Sequence, residues 1–349
     1  MSIIWIGCDF HPSFQCIAMV DTETGEYVER KLDHASGEAV RFYEGLKGRR
    51  LVIGMEACGN SGWFERKMTE LGHELWLGDA GKIRSLVVRK QKTDRRDADH
   101  ILTLLREERF PRIWVPSPGM RDSRQLLLHR HKLVQMRTRV KNELQHLALN
   151  QGVQQKRKLW TQAGRKQLES LPLQGWTEQR RDDLLQMLDD LEARIGKLNG
   201  AVVQEAARYA DTKLLQTQPG VGPITALAFV LTIGPVERFP RSKQVASYLG
   251  LIPAEYSSGG RQKLLGISKQ GNTFLRTLLV EAGQSAARHD PELRRAYQRL
   301  AHRKHRALAK VMIARKLAVR LYWMLRTHQP YAPARMQGSP SHPVVVVAG

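Results

Sequence analysis

The stretch Ile3-Ile4-Trp5-Ile6-Gly7-Cys8-Asp9, followed by Gln15-Cys16-Ile17-Ala18-Met19-Val20 and Tyr27-Val28-Glu29-Arg30-Lys31-Leu32, sets three strand-like runs in a row. The first is almost unbroken apolar and stops at a carboxylate. The second leads into the turn Thr22-Glu23-Thr24-Gly25, whose composition suits a tight reversal. Working outward, a helical stretch covers about Ala39 to Leu46. The strand Leu51-Val52-Ile53-Gly54-Met55 follows and ends at Glu56. A further helix (about Trp63 to Leu71) and a strand (His73 to Leu77) complete the pattern. Three meandering strands followed by alternating helix and strand is the order of an RNase H-like α/β fold.

Beyond Lys92 the chain reads as helical. Leu126, Leu133, Met136, Val140, Leu144 and Leu147 fall on one face of a long basic helix. Leu184, Leu188, Leu191, Ile195, Leu198 and Val202 alternate by three and four, the spacing of a coiled-coil seam. An intramolecular helical hairpin and an intermolecular coiled coil are equally consistent with it. The expected organisation is an α/β catalytic domain over residues 1–112, a basic and coiled-coil helical region over 113–204, and a mainly helical C-terminal domain over 205–330. The tail 331–349, rich in Pro, Ser and Gly, is expected to be disordered.

Two carboxylates, Asp9 and Glu56, each close a strand, so neighbouring strands can set them side by side. Asp94 and Asp97, in Lys92-Thr93-Asp94-Arg95-Arg96-Asp97-Ala98, open a helix and share one of its faces. Four converging carboxylates repel one another unless cations lie between them. Hard oxygen ligands select Mg²⁺ or Mn²⁺. Taken singly, Asp94 or Asp97 is an ordinary first-turn helix carboxylate, Asp9 a turn residue and Glu56 a solvated strand end. Asp79 and Asp99 are nearby competitors for a metal role.

Composition narrows the partners. Lys plus Arg number 56 against 34 Asp plus Glu, a formal net charge of +22. The segment Pro111 to Ser170 carries net +10 and Pro291 to Met336 net +11. Such stretches attract polyanions, and binding by phosphate neutralisation is strongly salt-dependent. No apolar run is long enough to span a bilayer and no secretory leader is evident, so a cytoplasmic, nucleoid-associated protein is expected. The three cysteines, Cys8, Cys16 and Cys58, lack metal-type spacing and read as small buried hydrophobes.

Two motifs stand in the C-terminal half. The run from Leu214 to Ala226, centred on Pro219-Gly220-Val221-Gly222, has the form of a helix-hairpin-helix that can offer backbone N–H groups at Gly220 and Gly222 to a DNA phosphate. A plain helix–helix turn has the same form. The run from Gly250 to Lys263 contains Tyr256-Ser257-Ser258-Gly259-Gly260, flanked by Arg261 and Lys263 and followed by Ser268-Lys269-Gln270-Gly271-Asn272. Read alone it is a glycine-rich hairpin. A serine there has no general base beside it in sequence, so a proton acceptor must come from elsewhere in the fold.

Together these pieces resemble the DEDD-type transposases of insertion-sequence family one-ten, recombinases guided by a bridge RNA. The resemblance runs nearly the full length. It is carried by Ile6-Gly7-Cys8-Asp9, Met55-Glu56-Ala57, Lys92-Thr93-Asp94-Arg95-Arg96-Asp97-Ala98, Pro219-Gly220-Val221-Gly222, Gly250-Leu251-Ile252-Pro253 and Tyr256-Ser257-Ser258-Gly259. It implies a RuvC-like N-terminal domain whose acidic positions fall on Asp9, Glu56, Asp94 and Asp97, binding Mg²⁺ or Mn²⁺. The nucleophilic serine then falls on Ser258, with Ser257 adjacent. Contacts to nucleic acid are expected at Gly220, Gly222, Arg261, Lys263 and Lys269. The implied partners are donor and target DNA, the guide RNA and further copies of the chain in a dimer or tetramer, with no membrane. A hydrolytic junction or structure-specific nuclease, and a non-enzymatic nucleic-acid-binding protein, are the alternatives.

Overall fold

The computed structural model describes residues 3–87, 93–154, 158–257, 261 and 263–332. The chain divides into two compact units, Met1–Val115 and Pro116–Gly349. Ser258, Gly259, Gly260 and Lys92 lie outside the described residues, as does the tail from 333 onward.

In the first unit β1 (Ile4–Phe10), β2 (Phe14–Asp21) and β3 (Tyr27–Asp33) meander antiparallel. Then come α1 (Glu38–Glu44), β4 (Leu51–Glu56), α2 (Gly62–Leu71), β5 (Glu74–Gly78), α3 (Ala80–Ser85) and α4 (Asp94–Arg106). β4 joins β1 in parallel and β5 joins β4 in parallel, giving the sheet order β3-β2-β1-β4-β5. This mixed sheet has the order expected for an RNase H-like domain and is compatible with one.

Strand alternation divides β1 between two layers. Ile4, Ile6 and Cys8 are buried with Ile53, Met55, Tyr43, Phe64 and Met68, the face covered by α1 and α2. Trp5, Gly7 and Asp9 point to the opposite face, where α4 lies, with Trp5 packed against the Ile101, Leu104 and Leu105 side of that helix. Cys8 belongs to the core in the ordinary way. Burial and then the neighbouring Asp9 push its thiol up, and its Sγ lies 3.5 Å from Gln15 Oε1. Cys16 is buried too, but Cys58 is exposed, because it falls in the loop just past β4.

The second unit is largely helical. α5 (Pro118–Asn150), α6 (Gln162–Glu169) and α7 (Trp176–Ala207) form one layer. Leu184, Leu188, Leu191 and Ile195 of α7 are buried with Leu133, Val140, Leu144 and Leu147 of α5 and with Leu168 of α6. The seam therefore serves an intramolecular hairpin. Leu198 is partly buried, whereas Met136 is 48% exposed and stands off the buried face. Next come α8 (Ala210–Gln216), α9 (Pro223–Ile233) and α10 (Ser242–Tyr248). The strands β6 (Pro253–Glu255) and β7 (Leu264–Ile267) are followed by α11 (Thr273–His289), α12 (Pro291–Arg303) and α13 (Arg306–Thr327). α9 is buried from Thr225 through Ile233 and forms the centre of this core. Its C-terminal carbonyls, which no helical N–H reaches, accept from two guanidiniums: Arg124 of α5 donates to the Leu231 oxygen and Arg238 to that of Ile233 (2.6 Å). No described helix is long and apolar enough to cross a membrane.

Candidate metal centre and serine hairpin

Two glycines facing each other across a strand pair let α4 approach the sheet. Gly7 of β1 and Gly54 of β4 are register partners. A Cβ on Gly7 would stand 2.1 Å from the Ala98 oxygen and 2.4 Å from the Leu102 nitrogen, both backbone atoms of α4. A Cβ on Gly54 would meet the Leu105 side chain at 2.8 Å. The bare backbone thus forms a groove in which α4 rests, and Ala98 and Leu102 bury themselves there with Cys16 and Ala18 of β2. Thr93 caps the helix by accepting from the Arg96 N–H (3.4 Å), and this cap starts the helix at Asp94. With Ala98 against Gly7, the turn before it carries Asp94 and Asp97 to the end of β1, where Asp9 stands.

There Asp9, Asp94 and His11 converge. One ligating atom from each lies within 4.8 Å of the others. His11 Nε2 stands 3.1 Å from Asp9 Oδ2 and 3.8 Å from Asp94 Oδ1. The Asp9 carboxyl is raised from its ordinary value. Burial is the first cause; His11 pulls it back down, and the nearby Asp97 and Asp94 add to the rise. Negative charge gathered in a half-buried place, with one imidazole nitrogen among the oxygens, is a donor set that suits a divalent cation.

Glu56 closes β4 on the α4 face, one residue beyond Met55, which pairs with Cys8. Its Oε1 accepts from Arg84 of α3 at 2.8 Å, so this carboxylate is neutralised by a guanidinium of its own unit. The two competing aspartates have other work. Asp79 caps α3 by accepting from the Lys82 N–H (3.0 Å), and Asp99 accepts from the Tyr27 hydroxyl (3.0 Å).

In the second unit, Ser257 lies between β6 and β7, and Ser258 lies outside the described residues. Ser257 Oγ donates to Glu255 Oε1 (2.7 Å) and accepts from the Lys263 N–H (3.3 Å). Tyr256 N–H donates to the Lys263 carbonyl (2.9 Å). The root of the hairpin is rigidly made. Gly250 and Gly271 both sit at positive φ, 64° and 72°, and their absent side chains let the chains on either side touch. A Cβ on Gly250 would stand 2.2 Å from the Gln270 oxygen, and one on Gly271 would stand 2.0 Å from that of Tyr248. Buried Arg276 of α11 ties both sides, donating to the carbonyls of Leu249 (3.2 Å) and Gln270 (2.8 Å).

Comparison with known proteins settles the family. Residues 72–151 match a transposase family model described as DEDD_Tnp_IS110, and residues 212–298 match one described as Transposase IS116/IS110/IS902 family. The chain is 30% identical over 296 residues to a probable family 20 transposase of Pseudomonas aeruginosa, covering 81% of this chain and 86% of that protein. It belongs to the IS116/IS110/IS902 transposase family. The transposase for insertion sequence element IS1111A of Coxiella burnetii is 31% identical over 244 residues, covering 67% of this chain and 65% of that protein. The transposase for IS1328 of Yersinia enterocolitica is 28% identical, covering 79% and 84% respectively.

Within this transposase the remaining predicted contacts are placed as follows. Gly220, at φ 87°, turns the chain so closely onto α11 that a Cβ would stand 2.4 Å from the Ala286 nitrogen. It serves packing between helices. Gly222 is exposed at the start of α9, and Arg261, Lys263 and Lys269 are exposed around the hairpin. The residue that sequence reasoning missed is His11. It lies one residue past the end of β1, beyond the reach of strand periodicity, so its nearness to Asp9 in sequence was the available signal.

Proposed function

We propose that this transposase cleaves and rejoins DNA by transesterification, using the carboxylate cluster of its first unit and Ser258 of its second. The observation that carries the first half is the convergence of Asp9, Asp94 and His11 at the end of β1. The second half rests on the family resemblance at Tyr256-Ser257-Ser258-Gly259, and the braced chain at Gly250 and Gly271 on either side of that segment supports it. The strand order supports an RNase H-like, RuvC-like reading of the first unit, followed by a helical hairpin region and a serine-bearing domain.

Asp9, Asp94 and Asp97, with Glu56 once released from Arg84, are the residues that would hold Mg²⁺ or Mn²⁺. When bound, such ions neutralise charge on a phosphodiester and steady its leaving oxygen. The rest belongs to the chain. Ser258 Oγ attacks phosphorus, an Oγ–P bond forms, and the bond to one bridging deoxyribose oxygen breaks. The serine proton ends on that leaving oxygen. One phosphodiester is exchanged for another, so reversal onto a different strand rejoins DNA without an external energy source. Ser257, held between Glu255 and Lys263, fixes the hairpin beside the nucleophile. The basic stretches grip backbones, while pairing with a bridge RNA selects the donor and target sequences. Because exchange joins two duplexes, the working assembly is a dimer or tetramer.

Strand joining tests this reading. Purified protein, labelled donor and target DNA, RNA transcribed from the flank of its element and Mg²⁺ should give joined products. Asp9→Asn and Asp94→Asn should each lower joining about 100-fold or more, as removal of groups acting at the transition state does. Equal joining by both variants and by the unaltered protein would overturn the assignment of the cluster.

A further inference from the structure

His11 is the one member of the converging group that the acidic pattern does not contain, and its placement is built. Its backbone N–H donates to the Phe14 carbonyl (2.9 Å), closing the turn between β1 and β2. Its ring lies on that of Phe14, centroids 4.7 Å apart and planes inclined by 31°. These two contacts hold the imidazole over the carboxylates and leave Nε2 toward both Asp9 and Asp94. Ligands about 2.1 Å from an ion on adjacent corners of an octahedron stand about 3 Å from one another. The 3.1 Å separation from Asp9, within hydrogen-bond reach, is of that size, and Asp94 stands 3.8 Å away.

Resting on the reading of this cluster as a cation site, we propose that His11 Nε2 is a direct ligand there and turns the site toward first-row transition ions over Mg²⁺. The chemistry is that of ligand softness. Mg²⁺ takes oxygen donors and gives up water reluctantly, so an imidazole gains it little. Imidazole binds the first-row divalent ions well, with Mn²⁺ the weakest of that series. A site of carboxylates alone discriminates poorly between Mg²⁺ and Mn²⁺. One nitrogen among the oxygens separates them, and Mn²⁺ makes the most demanding probe because any preference for it understates that for the later ions.

The test uses Mn²⁺ on the full chain and reads the metal rather than turnover. Free Mn²⁺ counted by electron paramagnetic resonance gives the affinity, with Mg²⁺ as competitor. Pulsed measurements on the bound ion detect directly coordinated ¹⁴N, and the same protein grown with ¹⁵N-histidine must shift that signal. This arm needs no mutation, so it does not depend on a variant's folding. His11→Gln then assigns the signal among the 12 histidines. It should abolish the signal and weaken Mn²⁺ about tenfold or more, while Mg²⁺ binding moves by less than about threefold. Bound Mn²⁺ without a histidine nitrogen signal, or with one that persists in His11→Gln, overturns the ligand role and leaves the cation site standing. Mn²⁺ binding that is absent from the unaltered protein, or unchanged by Asp9→Asn together with Asp94→Asn, overturns the cation site and the ligand role together.

Discussion

A methyl group on Gly7 would place a carbon 2.1 Å from the Ala98 carbonyl oxygen, a backbone atom that cannot rotate away. Gly7→Ala must therefore lift α4 from the sheet and carry Asp94 away from Asp9. The expected cost is about 3 kcal/mol or more, at the upper end of overpacking effects, together with weakened Mn²⁺ binding. At its register partner the obstacle is the movable end of Leu105, so Gly54→Ala should cost less, about 1 kcal/mol. Urea unfolding of the two variants checks the order, and equal losses would contradict it. In the second unit Asp290 has a comparable hold. It is fully buried, caps α12 by accepting from the Glu292 (2.8 Å) and Leu293 (3.0 Å) N–H groups, and pairs with Arg320 of α13. Burial alone would raise its carboxyl, but the Leu293 N–H, Arg320 and Gln218 outweigh it and hold it below the ordinary carboxylate range. Its folded value is depressed, so its contribution is present above the unfolded value and is lost as pH falls through the folded one. Asp290→Ala should destabilise by about 2–3 kcal/mol at neutral pH, because it removes the α12 cap and the buried partner of Arg320, which keeps Glu292 (2.6 Å). The gap from the unaltered protein should close toward acid. A gap independent of pH would remove the charge from the argument.

At the level of elements, the α5–α7 hairpin makes a separate prediction. Leu191 is buried within the chain between helices of one unit, so Leu191→Ala should cost about 2–4 kcal/mol without changing the mass in solution. A lowered mass on sedimentation at unchanged secondary structure would place the seam between chains instead. The elements also show how far the sequence could be read. Apolar runs ending at Asp9 and Glu56 were enough to locate β1 and β4, since strand periodicity is a local property. The close approach of α4 was not legible, because it depends on two glycines far apart in sequence meeting across a parallel pair. His11 escaped for a related reason. A turn histidine gains meaning only when a helix some eighty residues later brings Asp94 to it. The Arg84–Glu56 pair was hidden likewise, as was the packing of Gly220 against α11. Ser258 and the tail from residue 333 lie outside the described residues.

For the whole molecule, the charge of +22 is the largest single force on its partners. Two stretches of net +10 and +11, Pro111 to Ser170 and Pro291 to Met336, give it extended cationic segments. Affinity for duplex DNA without guide RNA should fall about 10³- to 10⁵-fold between 50 and 200 mM salt, as for proteins with six to ten phosphate contacts. Fluorescence anisotropy measures this, and a nearly flat salt response would rule out backbone-dominated binding. A carboxylate cluster alone describes many nucleases, and the serine distinguishes exchange from hydrolysis. The most direct measurement looks for a denaturant-resistant protein–DNA adduct with unaltered protein, Ser258→Ala, Ser257→Ala and Asp94→Ala, each supplied with Mg²⁺, flanking RNA and labelled donor and target DNA. Transesterification through Ser258 predicts an adduct with the unaltered protein and with Ser257→Ala, and none with Ser258→Ala or Asp94→Ala. Cleavage by Ser258→Ala at the unaltered rate, with no adduct from any of the four, would contradict it and leave a nuclease in which water attacks.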